Sequence, residues 1–383
     1  MIYFDNAATT WPKPKAVMDS VDTAIKRFGA NPGRSGHGMA METGMEIFKS
    51  RQAVSGFFGA KGAENVCFTL NTTYAVNMAL KGVLQKGDHV IISSFEHNAV
   101  YRTVHSLAKK GVTYDIAEIF PYDSEKTVKS FERLIRPNTK MLACMYASNV
   151  FGLIMPIDLI SSLAKAYKLL FFVDAAQAAG ALNINVAQQN IDYLCFSPHK
   201  GLYCPSGTGV LIINNGHHLE TIIEGGTGSS SLLKGMPDFL PDRMEAGTQN
   251  VSGIIAIKSG IDFVSAQGIE SIAKKEIEIL SGIYDRISQH RQIELYTRKP
   301  DASECTAVLS FNIKGKDSVE TASKLNEDEI CVRAGLHCAP LAHKSMKTAA
   351  QGTGGTVRIS LSVFNTKKEA DILCQSIEKN LKS

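Results

Sequence analysis

The apolar positions of the chain fall into short runs from about residue 65 onward, and segments with helical spacing alternate with these runs. The runs that have the length and composition of buried strands are Val66–Leu70, His89–Ser93, Thr113–Ile116, Met141–Met145, Leu169–Val173, Tyr193–Phe196 and Val210–Ile213. Apolar residues recur at helical spacing between several of them, at Tyr74–Leu84, Val100–Lys109 and Asp158–Ala166. This alternation predicts an α/β fold, in which a mostly parallel seven-stranded sheet has helices on both faces.

The pattern differs on either side of this α/β region. Before it, Val17–Phe28 and Met45–Phe58 have helical spacing, and a polar, glycine-rich loop separates them at Asn31–Gly38. After it, a long helical stretch runs from about Ile254 to Ile287. The remaining predicted elements are two strands and an amphipathic helix, at Thr306–Ile313, Thr356–Val363 and Lys367–Leu381.

The length and composition of the chain fit two domains. The 383 residues are 44% hydrophobic and 20% charged, which is enough apolar material for a substantial core. We expect a large domain over residues 16–253 and a smaller α+β domain over residues 254–383. Residues 1–15 are expected to form an N-terminal arm that associates with the small domain.

The charge pattern gives no support to several classes of function. The net charge of +4 is small and no block of Lys or Arg stands out, so we expect no nucleic-acid or membrane-surface binding. No apolar run approaches the roughly 20 residues of a membrane span. The first residues lack the basic start and apolar stretch of a secretory signal, and we therefore expect a cytoplasmic location.

The eight cysteines do not suggest a disulfide scaffold in a chain of this length. Two groups of residues suggest a metal site, but neither has the paired short spacing of a zinc motif, and we expect no metal. These groups are Cys195, His199 and Cys204, and His337, Cys338 and His343.

Polar residues follow several of the predicted strands, where ligand sites form in parallel sheets. Thr72 and Thr73 open a helix, where free N–H groups and hydroxyls can hold a phosphate, although an ordinary threonine helix cap gives the same pattern. His97, Asn149 and Asp174 follow three other strands. Each has a plain structural explanation by itself, but an aspartate at a strand end can also hold a pyridinium nitrogen in its protonated form.

Lys200 lies in the stretch FSPHKGLYCPSGTG, on a tight connection between two predicted buried strands. A lysine is usually a solvated surface charge, and this is an unusual place for one. Burial lowers the pKa of a lysine and frees its amine as a nucleophile, so Lys200 is a candidate for Schiff-base chemistry. Together with the polar residues at the strand ends, it predicts a site for pyridoxal 5'-phosphate.

A second candidate nucleophile, Cys338, lies in the stretch RAGLHCAPL of the small domain. Most cysteines are packing residues, but one next to Gly, His and Pro, outside any apolar run, is expected to be accessible and able to form a thiolate. Arg358 lies 20 positions further on, in an alternating strand. It forms either a surface salt bridge or a bidentate clamp for the carboxylate of an amino acid.

These residues resemble those of the cysteine desulfurases, in the class V aminotransferase group of the fold-type I pyridoxal-phosphate enzymes. The resemblance covers nearly the whole chain and is carried by FDNAATT, TTYAVN, EHNA, SNVFG, VDAAQAAG, SPHKG, RMEAGTQN, RAGLHCAPL and VRISLSVFNT. It implies a fold-type I transferase with a large cofactor-binding domain and a small domain that carries the catalytic cysteine.

The resemblance also implies roles for individual residues. The cofactor-binding residues would be Thr72, Thr73, His97, Asn149, Asp174, Gln177, Ser197, His199, Lys200 and Thr248. Lys200 would carry the cofactor as a Schiff base, Asp174 would pair with the ring nitrogen, Gln177 would contact the ring hydroxyl, and His97 would stack on the ring. Thr73, Ser197 and His199 would hold the phosphate, and Thr248 would reach it from the partner subunit of a homodimer. The substrate would be bound by Asn149, Arg333 and Arg358, and the catalytic residues would be Lys200, Cys338 and His97.

The implied reaction converts L-cysteine to L-alanine and leaves the sulfur on Cys338 as a persulfide, which a sulfur-acceptor protein would then take up. A selenocysteine lyase, with L-selenocysteine as substrate, is one alternative, and a true transaminase or another class V lyase is a second. A protein that binds the cofactor without catalysis is a third, and the joint presence of Lys200, Asp174, Arg358 and Cys338 speaks against it.

Overall fold

The computed structural model describes residues 1–32, 36–215, 219–348 and 354–381. The strands of these residues, in chain order, are β1 (Ile2–Tyr3), β2 (Val66–Thr69), β3 (His89–Ser93), β4 (Thr113–Ala117), β5 (Thr139–Met145), β6 (Leu170–Asp174), β7 (Tyr193–Phe196), β8 (Gly209–Ile213), β9 (Ile293–Leu295), β10 (Val308–Ile313), β11 (Ile330–Cys331), β12 (Arg333–Gly335) and β13 (Thr356–Ser360). The α-helices are α1 (Lys15–Arg27), α2 (Gly38–Phe58), α3 (Thr72–Val83), α4 (Asn98–Ala108), α5 (Ser124–Glu132), α6 (Ile157–Ala166), α7 (Val251–Gln267), α8 (Ile269–Ile287), α9 (Ser318–Glu327), α10 (Pro340–Ser345) and α11 (Lys367–Asn380).

A seven-stranded sheet forms the centre of the larger part of the molecule. Its strand order is β2-β8-β7-β6-β5-β3-β4. The strands from β7 to β4 in this order run parallel to their neighbours, while β8 is antiparallel to both β7 and β2. The predicted α/β fold with a mostly parallel seven-stranded sheet is therefore confirmed.

The sheet is buried on both faces, which explains why its strands are continuous apolar runs. Alternate residues of one strand point to opposite faces, so Ile91 packs into one hydrophobic core while Val90 and Ile92 pack into another. Leu142 and Met141 of β5 divide between the same two cores. Packing on both faces holds the sheet in place. The loops that follow its parallel strands therefore have fixed positions at one edge of the sheet.

The C-terminal part of the chain contains a four-stranded antiparallel sheet in the order β12-β13-β10-β9. It has its own hydrophobic core, to which Leu280, Phe311, Leu325 and Leu373 contribute. The first residues of the chain join this part, because β1 pairs in parallel with β11. We keep residues 1–15, 16–253 and 254–383 as a proposed division into arm, large domain and small domain.

The prediction of one helix from Ile254 to Ile287 is wrong, because two helices, α7 and α8, cover this stretch. They meet at Gly268, which has a φ of 80° that L side chains rarely adopt. Helical spacing of the apolar residues continues on both sides of Gly268, so periodicity alone does not reveal the break. The helix predicted at Met45–Phe58 begins earlier than expected, since α2 starts at Gly38. Residues 33–35 of the loop predicted at Asn31–Gly38 lie outside the described residues.

No helix in the described ranges is both long and apolar enough to cross a membrane.

Glu276 of α8 is a buried carboxyl group between the two parts of the molecule. The hydroxyl of Tyr203, from the loop after β7, lies 3.5 Å from its Oε1 and donates a hydrogen bond. Burial raises the pKa of Glu276 from its ordinary value of 4.5 to about 8. The folded protein therefore retains a proton that the unfolded chain releases, and stability is lost as the pH rises through this window.

We predict that Glu276→Gln makes the protein progressively more stable than the wild type as the pH rises from about 5 to 8. The difference in the free energy of unfolding should grow by about 1.4 kcal/mol per pH unit, which is the contribution of one proton. Urea denaturation at several pH values measures it. Glu278→Gln is the matched control, since Glu278 is exposed on the same helix and paired with Lys367. An equal pH dependence for both variants contradicts the prediction.

Candidate active site

The lysine loop after β7 packs tightly against the segment that follows β6. A Cβ atom on Gly201 would lie 2.4 Å from the carbonyl oxygen of Ala179, and one on Gly180 would lie 2.4 Å from the carbonyl oxygen of Gly201. Gly180 also has a φ of 84°, which favours glycine. This close approach places Lys200 and Asp174 in the lining of one cavity at the carboxyl edge of the sheet.

Lys200 is half-buried, and the charges around it act in opposite directions. Burial lowers its pKa to about 8, the carboxylate of Asp174 opposes this shift, and the cations Arg358 and Arg333 reinforce it. With this pKa, roughly a tenth of Lys200 is the free amine at pH 7, far more than for an exposed lysine. A free amine is the form that reacts as a nucleophile or a base.

Asp174 ends β6 and is 4% exposed. Its Oδ1 accepts a hydrogen bond of 2.9 Å from the backbone N–H of Ala176. Burial raises the pKa of Asp174, and both this hydrogen bond and the charge of Lys200 oppose the rise. The carboxyl group thus sits where it can hold a positively charged ring nitrogen.

The start of α3 forms one end of the cavity. The hydroxyl of Ser197 accepts a hydrogen bond of 2.9 Å from the N–H of Thr72, and the two hydroxyls lie 2.6 Å apart. Asn71, and neither threonine, is the helix cap, because its side chain accepts from the N–H of Tyr74. The threonine side chains are therefore not needed as caps, and Thr73 lines the cavity at this helix start.

His97 caps α4, and its Nδ1 accepts a hydrogen bond of 3.0 Å from the N–H of Ala99. Burial, followed by the charges of Lys200 and Arg333, lowers the pKa of His97 to about 4. The ring is neutral at physiological pH, and because Nδ1 is an acceptor, the proton lies on Nε2.

Arg358 and Asn149 are linked on the side of the cavity nearest the small domain. Arg358 is 1% exposed, and its Nη1 donates to the backbone oxygen of Asn149 at 2.7 Å. Its Nη2 donates to Oδ1 of Asp5 at 2.6 Å, so the residue is in a buried ion pair and not in a surface salt bridge. The side-chain amide of Asn149 donates to the carbonyl oxygen of His337 at 2.7 Å.

The loop that carries Cys338 is held by hydrogen bonds to residues that follow β3 and β5. The N–H of Asn98 at the start of α4 donates to the carbonyl oxygen of Cys338 at 2.7 Å. His337 and Cys338 both have positive φ values, 48° and 58°, which cost non-glycine residues energy and indicate a constrained loop. Cys338 is exposed, and its Sγ lies 3.8 Å from Nη2 of Arg333, which lines the cavity.

The cavity thus brings together nearly all of the predicted site residues. Its lining includes Thr72, Thr73, His97, Asn149, Asp174, Gln177, Ser197, His199, Lys200, Arg333 and Arg358. Cys338 lies at its edge, next to Arg333 and His337. Thr248 is the exception, since it is exposed and lines a separate depression with Leu70 and Tyr74.

The polar groups of the lining fit the predicted cofactor. Asn149 Oδ1, His199 Nδ1 and Arg358 Nε are buried and have no hydrogen-bond partner among the described residues. Buried polar atoms are rarely left unpaired, so these three atoms mark where a polar ligand belongs. Gln177 reaches the same space and donates to the carbonyl oxygen of Ala7 at 2.9 Å.

Two acidic residues beside the site, the first half-buried and the second buried, were not predicted from the sequence. One is Asp5, which pairs with Arg358. The other is Glu96, next to His97, whose Oε1 accepts hydrogen bonds from the hydroxyl of Ser93 and from the N–H of Met145 at 2.8 Å. In the sequence, Glu96 is a lone acidic residue shortly after an apolar strand, a pattern that does not indicate a function.

The chain matches the family model for class V aminotransferases over residues 2–373. A probable cysteine desulfurase from Methanothermobacter thermautotrophicus is 31% identical over 387 residues, which cover 99% of this chain and 94% of the relative. A probable cysteine desulfurase from Pyrococcus abyssi is 31% identical over 397 residues, covering 100% and 95% of the two chains.

Solved structures agree with these matches. The apo structure of a cysteine desulfurase from Thermococcus onnurineus superposes with a TM-score of 0.90 at 29% identity, covering 100% of this chain and 94% of that one. A cysteine desulfurase from Escherichia coli, in an S-sulfonic acid form, superposes with a TM-score of 0.85 at 25% identity, covering 99% and 94%.

We predict that Glu96 acts as a neutral carboxylic acid, since burial raises its pKa to about 8. Glu96→Gln keeps an acceptor for Ser93 and Met145, and its free energy of unfolding at pH 7 should lie within about 1 kcal/mol of the wild type. Glu96→Ala leaves both donors unpaired beside a cavity and should lose about 3 kcal/mol. Denaturant titration compares them, and an equal loss in both variants shows that Glu96 is ionised instead.

Proposed function

Because this chain belongs to the class V aminotransferase family and, within it, to the cysteine desulfurases, we propose that it converts L-cysteine to L-alanine and takes the sulfur onto Cys338. One observation supports this reaction most directly. Two nucleophiles from distant parts of the sequence, Lys200 and Cys338, flank a single cavity that also contains Asp174 and Arg358. A transaminase needs the lysine and the aspartate, but it has no need for a thiol at the edge of the cavity.

We propose pyridoxal 5'-phosphate as the cofactor. Thr73, Ser197 and His199 would bind its phosphate at the start of α3, where the positive end of the helix dipole favours an anion. Asp174 would hold the ring nitrogen, and His97, Gln177 and Asn149 would bind the ring. The bound cofactor supplies an electron sink for the electrons released at the α-carbon of the amino acid.

The amine of Lys200 is the base of the proposed reaction. With a pKa of about 8, it can take the proton from the α-carbon and return it later in the cycle. The guanidinium of Arg358 binds the α-carboxylate of the substrate and fixes which C–H bond faces Lys200. The neutral ring of His97 carries a proton on Nε2 for exchange with the substrate.

The sulfur transfer is a displacement at the sulfur atom. The thiolate of Cys338 attacks the sulfur of the substrate, and an S–S bond forms while the Cβ–S bond breaks. The electron pair of the broken bond stays with the carbon, which takes a proton and becomes the methyl group of L-alanine. Nη2 of Arg333 lies 3.8 Å from the sulfur of Cys338, so the attacking atom is held beside the lining of the cavity.

We also propose that the enzyme is a cytoplasmic homodimer that passes its sulfur to an acceptor protein. The support for a dimer is an apolar surface at the start of α3, formed by the exposed side chains Leu70, Tyr74 and Ile223. Thr248 lines this surface and does not belong to the lining of its own cavity. A two-fold partner seated there would bring its Thr248 toward the phosphate end of the neighbouring site.

The proposed activity predicts that the wild-type enzyme with its cofactor converts L-cysteine to L-alanine and, with a thiol reductant, to sulfide in equal amounts. Cys338→Ala removes the sulfur acceptor and should lower both rates about a hundredfold or more. Cys331→Ala, on the half-buried strand β11, is the matched control and should keep wild-type rates. Amino-acid analysis and a sulfide assay measure the two products.

The same assay separates the alternatives. Alanine formation that requires a 2-oxo acid indicates a transaminase. A Cys338→Ala variant that loses activity on L-cysteine but keeps full activity on L-selenocysteine supports a selenocysteine lyase as one function of the protein. If the wild type forms neither alanine nor sulfide, the proposed function is wrong.

For the dimer, we predict that light scattering after gel filtration gives twice the mass of one chain. Replacing Leu70 and Tyr74 by serine should shift the protein toward the monomer, because the apolar surface is the proposed contact. Ile116→Ser, another exposed apolar residue on the distant strand β4, should leave the mass unchanged. A monomeric wild type contradicts the proposal.

A further inference from the structure

The N-terminal arm places a carboxylate directly on the buried arginine of the site. Nη2 of Arg358 donates to Oδ1 of Asp5 at 2.6 Å. The arm cannot easily move away, since Asp5 forms a parallel β-bridge with Ser360 and the N–H of Ala7 donates to the hydroxyl of Ser360 at 2.8 Å. The ion pair is therefore a fixed part of the fold.

Arg358 still has unused hydrogen-bond donors. A guanidinium group has five N–H bonds, of which one points to Asp5 and one to the carbonyl oxygen of Asn149. Nε has no partner among the described residues, although it is buried. Arg358 lines the cavity, so its free N–H bonds are available to a bound carboxylate without displacement of Asp5.

The negative charge of Asp5 affects how strongly Arg358 attracts a bound carboxylate. The side chain of Asp5 is 20% exposed and that of Arg358 is 1% exposed, so solvent screens their attraction weakly. The negative charge of Asp5 cancels most of the attraction that Arg358 exerts on a second anion. A carboxylate bound to Arg358 also lies close enough to Asp5 for the two anions to repel each other.

We propose that Asp5 is a built-in counter-ion that weakens the binding of the α-carboxylate of amino acids to Arg358 and thereby speeds product release. This inference rests on the proposed function, in which L-cysteine enters and L-alanine leaves with the same carboxylate. The bond that breaks is the Cβ–S bond, so tight binding of the carboxylate holds product as firmly as substrate. Asp5 is in this sense a positioning residue, which acts through Arg358.

The test compares Asp5→Asn with the wild-type holoenzyme. The amide oxygen of asparagine can still accept from Nη2, so the geometry of Arg358 is kept while the charge is lost. We expect L-alanine to bind about fivefold tighter or more, the size of a typical coupling between two bound charges. The KM for L-cysteine should fall in parallel, without a rise in kcat. Calorimetry with L-alanine and product-inhibition kinetics measure these effects.

Three controls isolate the charge. Asp5→Glu keeps the charge and should bind L-alanine like the wild type. Asp19→Asn removes an exposed carboxylate that pairs with Lys15, and it should change nothing. Ethylamine, which is L-alanine without its carboxylate, should bind Asp5→Asn and the wild type equally. If Asp5→Asn does not fold, Asp5→Ser also removes the charge and leaves a hydroxyl that can accept from Arg358.

Equal or weaker binding of L-alanine by the folded, uncharged variants overturns the proposal, because Asp5 then only holds Arg358 in place. Tighter binding of both L-alanine and ethylamine overturns it as well, since the effect is then not on the carboxylate. Failure of the proposed desulfurase function gives a different result from failure of the proposal for Asp5. The wild type then forms no alanine from cysteine, while the binding of L-alanine to wild type and variants can still be compared.

Discussion

Burial disfavours the charged forms of both Lys200 and Asp174. Because the two charges are opposite, each lowers the free-energy cost of burying the other. Burial lowers the pKa of the lysine and raises that of the aspartate, while their mutual attraction acts against both shifts. They line one cavity, beside the place where the backbones at Gly180 and Gly201 approach so closely that neither position has room for a side chain. The rest of the site is arranged around this pair, with cations toward the small domain and hydroxyl groups at the start of α3.

The seven-stranded sheet could be predicted from the sequence because its strands are buried on both faces. Such strands consist of consecutive apolar residues, which are easy to recognise. Strand bounds differ by only a few residues, and β6 includes Asp174 itself. The break between α7 and α8 could not be predicted in the same way. It depends on the positive φ of one glycine, Gly268, within a stretch that keeps helical spacing on both sides.

The candidate site could be predicted where its residues follow strands, because parallel strands bring their carboxyl ends to one edge. Asp5 could not be found in this way, since its partner is 353 positions away and only the folded chain joins them. The role of Glu96 was hidden because its partners are a neighbouring hydroxyl and a backbone N–H of another strand. The predicted role of Thr248 is to reach the phosphate in the site of a partner subunit, so a single chain cannot show it.

The pairing of the two ends of the chain also affects when the site can form. The strands of the seven-stranded sheet all lie before residue 214, so this sheet can assemble while the ribosome is still adding the C-terminal third. Asp5 and Ile2–Tyr3, although made first, wait for Arg358 and β11. A chain interrupted before β13 thus has a complete large sheet but an open site. A chain that ends before Arg358 also lacks the side chain that we propose for binding the carboxylate of the amino acid.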